Sequence, residues 1–567
     1  MLPVPEQPLP PAAELRPISR LRAALRRIDA WGPLAWKEIL GGWRLRLPGD
    51  AQAENALVLP EGDEDGDEDE RTLYLAVAHG LGPGEAVATC DWVVRHAWAT
   101  LLAAPRIPAW TVRPGAAVRA TNACWLAGDR VILRLQISLP YLGMGIDARR
   151  VGRFIRQVEA FAADLATRRA RPELARWRRS VARQRALRAA LPAAGLIAFL
   201  GEGALLPRAA DGGPAAGAVP LSIPPGLRRT LDLGRHGSVT GWGIPQGVTA
   251  VTGAPYHGKS TVLQALQAGA DDHPPGDGRE LVVTDPSALF VQAEDGRPIK
   301  AQDLAGFFAS LPGADAKSFT TARASGATSM AASVCQGLAG GSRLLLIDED
   351  SAASNFLLID PVLRQILGKT LNGTTTLLEA LPDFARQGVS TVLVAGSNGH
   401  ALAIADRVVQ MDHWQPHDVT AKVRRLVGPP PAARRFTPPR RILDDTPDAV
   451  FGPRHFLALD LREPERPRVK LPAARGTSGW HTLDLRRSGW VLDPALVAGA
   501  LLAAGWACRL AGGVPTDLTT LGQRYAAVVA GGATALDPFH TRIITVPPWP
   551  LVVSILERLP HPGLRSA

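Results

Sequence analysis

Cysteine is scarce in this 567-residue chain. The four residues, Cys90, Cys124, Cys335 and Cys508, stand far apart, and none forms a CxxC pair. That spacing indicates neither a zinc knuckle nor a disulfide framework, and a reducing cytoplasm is the expected compartment. Long apolar runs are also missing. The most apolar stretch, 495–511, is interrupted by Gly499, Gly505 and Arg509. It falls short of the ~20 apolar residues of a spanning helix and reads as a buried helix. Residues 1–11 are rich in proline and lack the apolar stretch of a signal peptide. No internal repeat is visible, so the length is read as three or four separate domains.

What is present is ordinary for a globular protein: 46% hydrophobic and 20% charged residues. Much of the apolar share is alanine, and the basic share is mostly arginine. The net charge of +10 permits contact with nucleic acid or another anionic surface without demanding it.

Composition divides the chain. Residues 1–20 read as a flexible leader, and 21–200 as a mixed α/β domain opening with a helix at 21–27. Within it, EGDEDGDEDE at 61–70 reads as a solvated acidic loop. An arginine-rich stretch at 149–188 is compatible with helix apart from Pro172. It is either a phosphate-contacting face, with Arg176-Trp177-Arg178-Arg179 as an exposed stacking element, or a solvated helix pair. Glycine and proline at 201–245 lead into repeated strand, glycine turn and helix patterns up to 427, the mark of a parallel α/β sheet. A parallel α/β domain is therefore expected over 201–428. The Pro/Arg-rich segment 429–445 reads as a linker, and 446–567 as a small C-terminal α/β domain.

The phosphate-binding pattern GxxxxGK[ST] lies at the end of a strand, GVTAVTG, and before a helix, VLQALQ. The loop comprises Gly253, Ala254, Pro255, Tyr256, His257, Gly258, Lys259, Ser260 and Thr261. Phosphate needs many donors in a tight concave turn, which successive backbone N–H groups and a helix N-terminus supply. Gly258 lets the backbone curl, and Pro255 removes one possible donor. Lys259 is expected to reach the β- and γ-phosphates of ATP, and Ser260 to hold Mg²⁺.

Downstream, RLLLIDEDS is a short apolar strand ending in carboxylates. Asp348 is expected beside Mg²⁺, and Glu349 to polarise the attacking water. A plain acidic helix cap is the competing reading. Ser325, Gly326, Ala327 and Thr328 open a helix, and Ser325 precedes Asp348 by 23 positions. That distance accommodates one helix, a turn and a strand. An ordinary N-cap is the competing reading of Ser325, and the spacing argues against it.

These segments resemble the predicted ATPases of the ABC class. The resemblance rests on GLIAF (195–199), GALLPR (203–208), GWGIPQGV (241–248), YHGKST (256–261), PGDGRE (275–280), AEDGRPI (293–299), ASGATSMAA (324–332), LLIDEDSAASNF (345–356) and GVSTVLV (388–394). It covers about 195–425. Ala254, Pro255, Met330 and Ser354 depart from the family's usual text. The resemblance implies an α/β, ABC-type P-loop ATPase core with a parallel-rich sheet, flanked by α/β domains. It implies Mg·ATP hydrolysis at composite sites of a homodimer, with Ser325–Thr328 capping the nucleotide held by the facing subunit. Ala353 and Asn355 fall in the D-loop. Gln292 and Glu294 are both candidates for the Q-loop. A switch histidine is expected after the next strand, but Gly396-Ser397 stands there and His400 follows three positions later. Asp277, Arg279 and Glu280 of PGDGRE either line the nucleotide or form a charged turn. RNA or another nucleic acid is the expected partner, with a slow nucleotide-dependent scaffold as the alternative.

Overall fold

The computed structural model describes residues 14–28, 39–47, 50–59, 70–78, 85–142, 145–167, 170–210, 212–368, 373–443, 459–460, 468–472, 480–485, 488–490, 492–511, 514–537, 543–559 and 564–566. Residues 1–13 of the expected leader and 61–69 of the acidic loop lie outside them. The chain forms two compact units, one of Met1–Ala182 with Gly531–Val546 and one of Arg183–Ala530 with Pro547–Ala567. The described part of 446–567 was expected as a domain of its own. Its described residues 531–537 and 543–546 instead fall in the first unit and the rest in the second.

The first unit is built on a sheet containing β1 (Gly41–Leu47), β2 (Asp50–Leu59), β3 (Glu70–Ala78) and β5 (Arg130–Ser138), with β4 (Cys124–Ala127) paired to β5. β3 and β5 are antiparallel, with Leu73 opposite Leu135 and Leu75 opposite Leu133. Ala56, Val58, Tyr74, Ala76 and Ile132 pack together on one face. The alternating Leu57, Leu73, Leu75, Leu133 and Leu135 are buried as well, so the sheet is covered on both sides. The returning segment is held by Ile544 N–H donating to Asn122 Oδ1 at 2.7 Å and Val546 N–H donating to Ala120 O at 2.8 Å.

The arginine-rich stretch forms two helices, α1 (Ala148–Ala166) and α2 (Ala170–Ala190). Asp147 caps α1 by accepting from Arg150 N–H. Val151, Phe154, Ile155, Val158 and Phe161 are buried at helical spacing, while Arg149, Arg150, Arg153 and Arg156 are exposed. The expected stacking element in α2 is only partly realised. Trp177 is half-buried, its indole N–H donating to Asp91 Oδ2 at 3.1 Å with the Arg95 guanidinium over the ring.

The two largest sheets described in the second unit frame the site. One is antiparallel, in the order β7 (Arg228–Asp232), β8 (Ser238–Pro245), β6 (Leu196–Gly201), β10 (Val282–Thr284). The other has six strands. Its order is β11 (Leu289–Val291), β12 (Leu344–Asp348), β13 (Ser390–Val394), β9 (Val248–Gly253), β14 (Arg407–Asp412), β15 (Gln415–Asp418). All neighbours are parallel except the final antiparallel pair.

The uninterrupted apolar text of β12 follows from burial on both faces. Leu344 and Leu346 pack with Val392, Val394 and the Val262 and Leu263 of α3 (Lys259–Ala268). Leu345 and Ile347 point the other way, towards Met330 and Val334 of α4 (Gly326–Ala339) and Leu377 and Leu381 of α5 (Leu377–Arg386). A capping box of Thr376 and Glu379 starts α5.

The C-terminal elements in this unit include α6 (Pro494–Ala511), α7 (Leu518–Val529) and α8 (Trp549–Leu556). The long apolar stretch is the helix α6, with residues 495–508 buried and Leu510 38% exposed. Among the described residues, no helix is long and apolar enough to cross a membrane. Trp549 Nε1–H donates to Gly340 O at 3.1 Å, which ties α8 to the end of α4. The four cysteines are buried, and none is in a disulfide among the described residues.

Candidate functional site

The carboxyl ends of β9, β12 and β13 lie side by side at the middle of the six-stranded sheet. In open parallel sheets this is where ligands bind. β9 runs into the loop 253–258 and then α3. Gly253 (φ 143°) and Gly258 (φ 97°) hold conformations that side chains disfavour. A Cβ on Gly253 would stand 2.3 Å from Met411 O, so the close approach of the loop to β14 itself requires glycine. Lys259 Nζ donates to Gly253 O and Ala254 O, both at 2.9 Å. Tyr256 is 95% exposed and adopts φ 63°.

Ser260 Oγ donates to Asp348 Oδ2 at 2.9 Å. The first turn of α3 thus meets the end of β12, 88 residues later in the chain. Asp348 is buried and also accepts from Asp350 N–H at 3.2 Å. Glu349 turns towards the end of β13. Its Oε2 accepts from Gly396 N–H at 2.7 Å and Ser397 N–H at 3.0 Å, and Oε1 accepts from Ser397 Oγ–H at 2.6 Å. Burial works against the charge. The Ser397 hydroxyl and the N–H groups of Ser397, Gly396 and Asn398 outweigh it and hold the carboxyl below its ordinary value. A Cβ on Gly396 would lie 3.9 Å from Lys259 Cε. Of the two switch candidates, Ser397 therefore sits beside Glu349. His400 is exposed on the short helix Gly399–Ala403, its N–H donating to Asn398 Oδ1.

Ser325 caps α4, its Oγ accepting from Thr328 N–H at 3.3 Å. The hydrogen bonds of Ser325 and Thr328 stay within this first turn. The Ala353 Cβ lies 3.6 Å from where a Cβ of Gly326 would stand, so the expected D-loop and signature segments are neighbours. Asn355 is exposed, and Ala327 and Gln292 are half-buried. Glu294 is engaged elsewhere. It is buried, pairs with Arg558 and lies 3.6 Å from Arg297 Nη1. The PGDGRE segment is a charged turn: Asp277 accepts from Arg208 Nη2 at 2.9 Å and Arg279 N–H at 2.6 Å. The Arg279 side chain donates to Leu206 O, and burial first, then Arg208, lowers its pKa to about 10.

Residues 170–445 match the family model ABC_ATPase, P-loop domain. This segment is an ABC-class P-loop ATPase domain. That family implies nucleotide binding and hydrolysis. The uncharacterized protein MJ1628 of Methanocaldococcus jannaschii is 31% identical over 208 residues, 35% of this chain and 45% of that protein. The chain thus spans less than half the length of this curated relative. A solved structure, cbiO1 from Clostridium perfringens, part of the ABC transporter complex cbiONQ, is 17% identical. It is matched over 39% of this chain and 87% of its own, at a TM-score of 0.23.

The back of the ATPase domain carries a polar cluster that motif reading missed. Arg441 Nε and Nη2 donate to Glu557 Oε1 and Oε2 at 2.9 and 2.6 Å, with the two side chains 1% and 2% exposed. Gln336 of α4 donates to the same Glu557 at 3.1 Å and accepts from Arg297. Nothing in the sequence announces this cluster, because Gln336 and Arg441 lie 221 and 116 positions from Glu557.

Proposed function

We propose that this chain binds Mg·ATP at the 253–261 loop and hydrolyses it between two copies of itself, in the cytoplasm. The observation that carries the reading is the convergence of Ser260, Asp348, Glu349 and Lys259 at adjacent strand ends. A hydroxyl and a carboxylate at hydrogen-bond distance are hard oxygen donors of the kind Mg²⁺ takes, so the residues fit the ion. Bound Mg²⁺ would neutralise charge on the triphosphate. Ser260 and Asp348 would hold the ion, and the N–H groups of the loop would cradle the phosphates. Lys259, now donating to two loop carbonyls, would exchange these for phosphate oxygens. Glu349 would accept the proton of the attacking water, with Ser397 and Gly396 orienting its carboxylate. Ser325–Thr328 would reach the nucleotide of the facing copy, and Ala353 and Asn355 would line the same junction.

The cycle would drive binding or remodelling of RNA or a ribonucleoprotein. The exposed arginines of α1 and the net charge of +10 support this. The test is ATP turnover with Lys259→Ala and Glu349→Gln controls, repeated with single-stranded RNA at two salt concentrations. Turnover lost in both variants, and RNA retention that weakens with salt, support the reading. Turnover unchanged in Lys259→Ala rejects the site. RNA that is not retained even at low salt rejects the partner.

A second reading, a slow nucleotide-dependent switch, is favoured by one observation. Glu349 is held by three hydrogen bonds and kept below its ordinary pKa, which makes it a weaker base. In that case ATP binding alone would produce the biological output, and Glu349→Gln would preserve it.

A further inference from the structure

The side chain of one residue of the 253–258 loop joins a second cluster. His257 lies in the loop. Asp412 ends β14, and His413 begins the turn to β15. One ligand atom from each lies within 4.8 Å of the other two. His257 Nδ1 stands 3.1 Å from Asp412 Oδ1, and His413 Nδ1 stands 2.8 Å from the same oxygen. The imidazole rings are 4.7 Å apart between centroids.

Two groups approach the same His257 nitrogen. His413 N–H donates to His257 Nδ1 at 3.2 Å, which requires a bare lone pair on that nitrogen. The same nitrogen faces the Asp412 carboxylate at 3.1 Å, which requires a proton on it. No single tautomer of His257 satisfies both contacts. A divalent ion among the three atoms would take the His257 Nδ1 lone pair in place of the His413 N–H and bridge it to the facing Asp412 oxygen. The two short separations are close to the ~3.3 Å between ligands of a tetrahedral ion with ~2.0 Å bonds.

The backbone is shaped to bring these groups together. Five non-glycine residues among those described have positive φ, and three are Tyr256, His413 and Trp414, at 63°, 46° and 64°. All three flank or belong to the cluster. The Trp414 Cδ1 atom would lie 3.2 Å from a Cβ on Gly258, so the turn rests directly on the phosphate loop.

We propose that His257, Asp412 and His413 bind a Zn²⁺-class divalent ion, which ties the phosphate loop to the β14–β15 turn. Two imidazoles and one carboxylate suit Zn²⁺ and its neighbours rather than Mg²⁺, which prefers all-oxygen ligands. Three protein ligands on an open surface leave a position for water. Because His257 is part of the loop, an ion there restrains the segment that must wrap the phosphates. The site is therefore a means by which metal availability sets access of nucleotide.

The experiment uses the full chain without nucleotide. Co²⁺ uptake is followed by visible absorption, Zn²⁺ is measured by its competition with Co²⁺, and hydrogen exchange is read at residues 254–258. One saturable site per chain is expected, with exchange at 254–258 slowed by Zn²⁺. His413→Ala and Asp412→Asn are each expected to weaken affinity about tenfold or more. His400→Ala, an exposed histidine outside the cluster, should leave it unchanged. Absence of saturable uptake up to about millimolar Zn²⁺, or uptake that survives both His413→Ala and Asp412→Asn, overturns the proposal. No readout depends on ATP, so a failure here leaves the ATPase reading standing, and the reverse also holds.

Discussion

Truncating Arg441 tests whether the buried cluster behind the signature helix holds that helix in place. The Arg441 and Glu557 side chains are 1% and 2% exposed and form two parallel hydrogen bonds. Arg441 also donates to Ala301 O at 2.6 Å. Arg441→Ala leaves the Glu557 carboxylate buried with the Gln336 amide, at 3.1 Å, as its remaining hydrogen-bond partner among the described residues. Breaking a buried pair from one side costs about 3–5 kcal/mol, because the surviving charge cannot reach water. That is a large part of the ~5–15 kcal/mol that stabilises a typical domain. Since each ~1.4 kcal/mol is a factor of ten, opening of α4 and α8 should become at least a hundredfold more frequent. Hydrogen exchange of peptides 326–339 and 549–556 reads this directly. The double variant Arg441→Met/Glu557→Leu should recover most of the loss, since well-packed apolar replacement of a buried pair is often neutral or stabilising. Single variants that change exchange by less than about fivefold, or a double variant whose losses simply add, would refute the reasoning.

Three further outcomes are expected. Ser397→Ala removes the hydroxyl donor to Glu349, so the carboxyl should protonate at higher pH and the acid limb of the turnover profile should move upward; an unmoved limb would separate Ser397 from Glu349 chemistry. Gly253→Ala should abolish nucleotide binding, measured by filter retention of labelled ATP, because the added Cβ meets Met411 O at 2.3 Å in a backbone already at φ 143°. Asp383 is held below the ordinary carboxylate range chiefly by the Phe436 N–H, against a smaller opposing effect of burial and with help from Arg386 and Gln387. The folded state therefore binds fewer protons than the unfolded chain. The stabilisation is fully present above about pH 4 and is lost as pH falls through the folded value, so Asp383→Asn should flatten the acid limb of a urea-denaturation series.

The local text of this chain determined its phosphate loop, its acidic strand and the helix start at Ser325. Each needs only a few consecutive residues with fixed backbone demands: glycines at φ 143° and 97°, an apolar run buried on both faces, and a hydroxyl cap. The buried helix within 495–511 was legible for the same reason, since hydrophobic content is a local property. What the tertiary structure decided are matters of spatial approach. Ser397 rather than His400 reaches Glu349, because β13 delivers its first post-strand residues next to the end of β12. Glu294 turns away to Arg558, a partner 264 residues distant. The PGDGRE turn closes on Arg208. Trp177 is engaged by Asp91 instead of standing free. The C-terminal helices join the ATPase unit through charges such as Arg441 and Glu557, which read in sequence as an ordinary arginine and glutamate. Motifs encode short-range backbone geometry, whereas the pairing of remote charges depends on where packed elements place them, and single-sequence spacing carries no record of that.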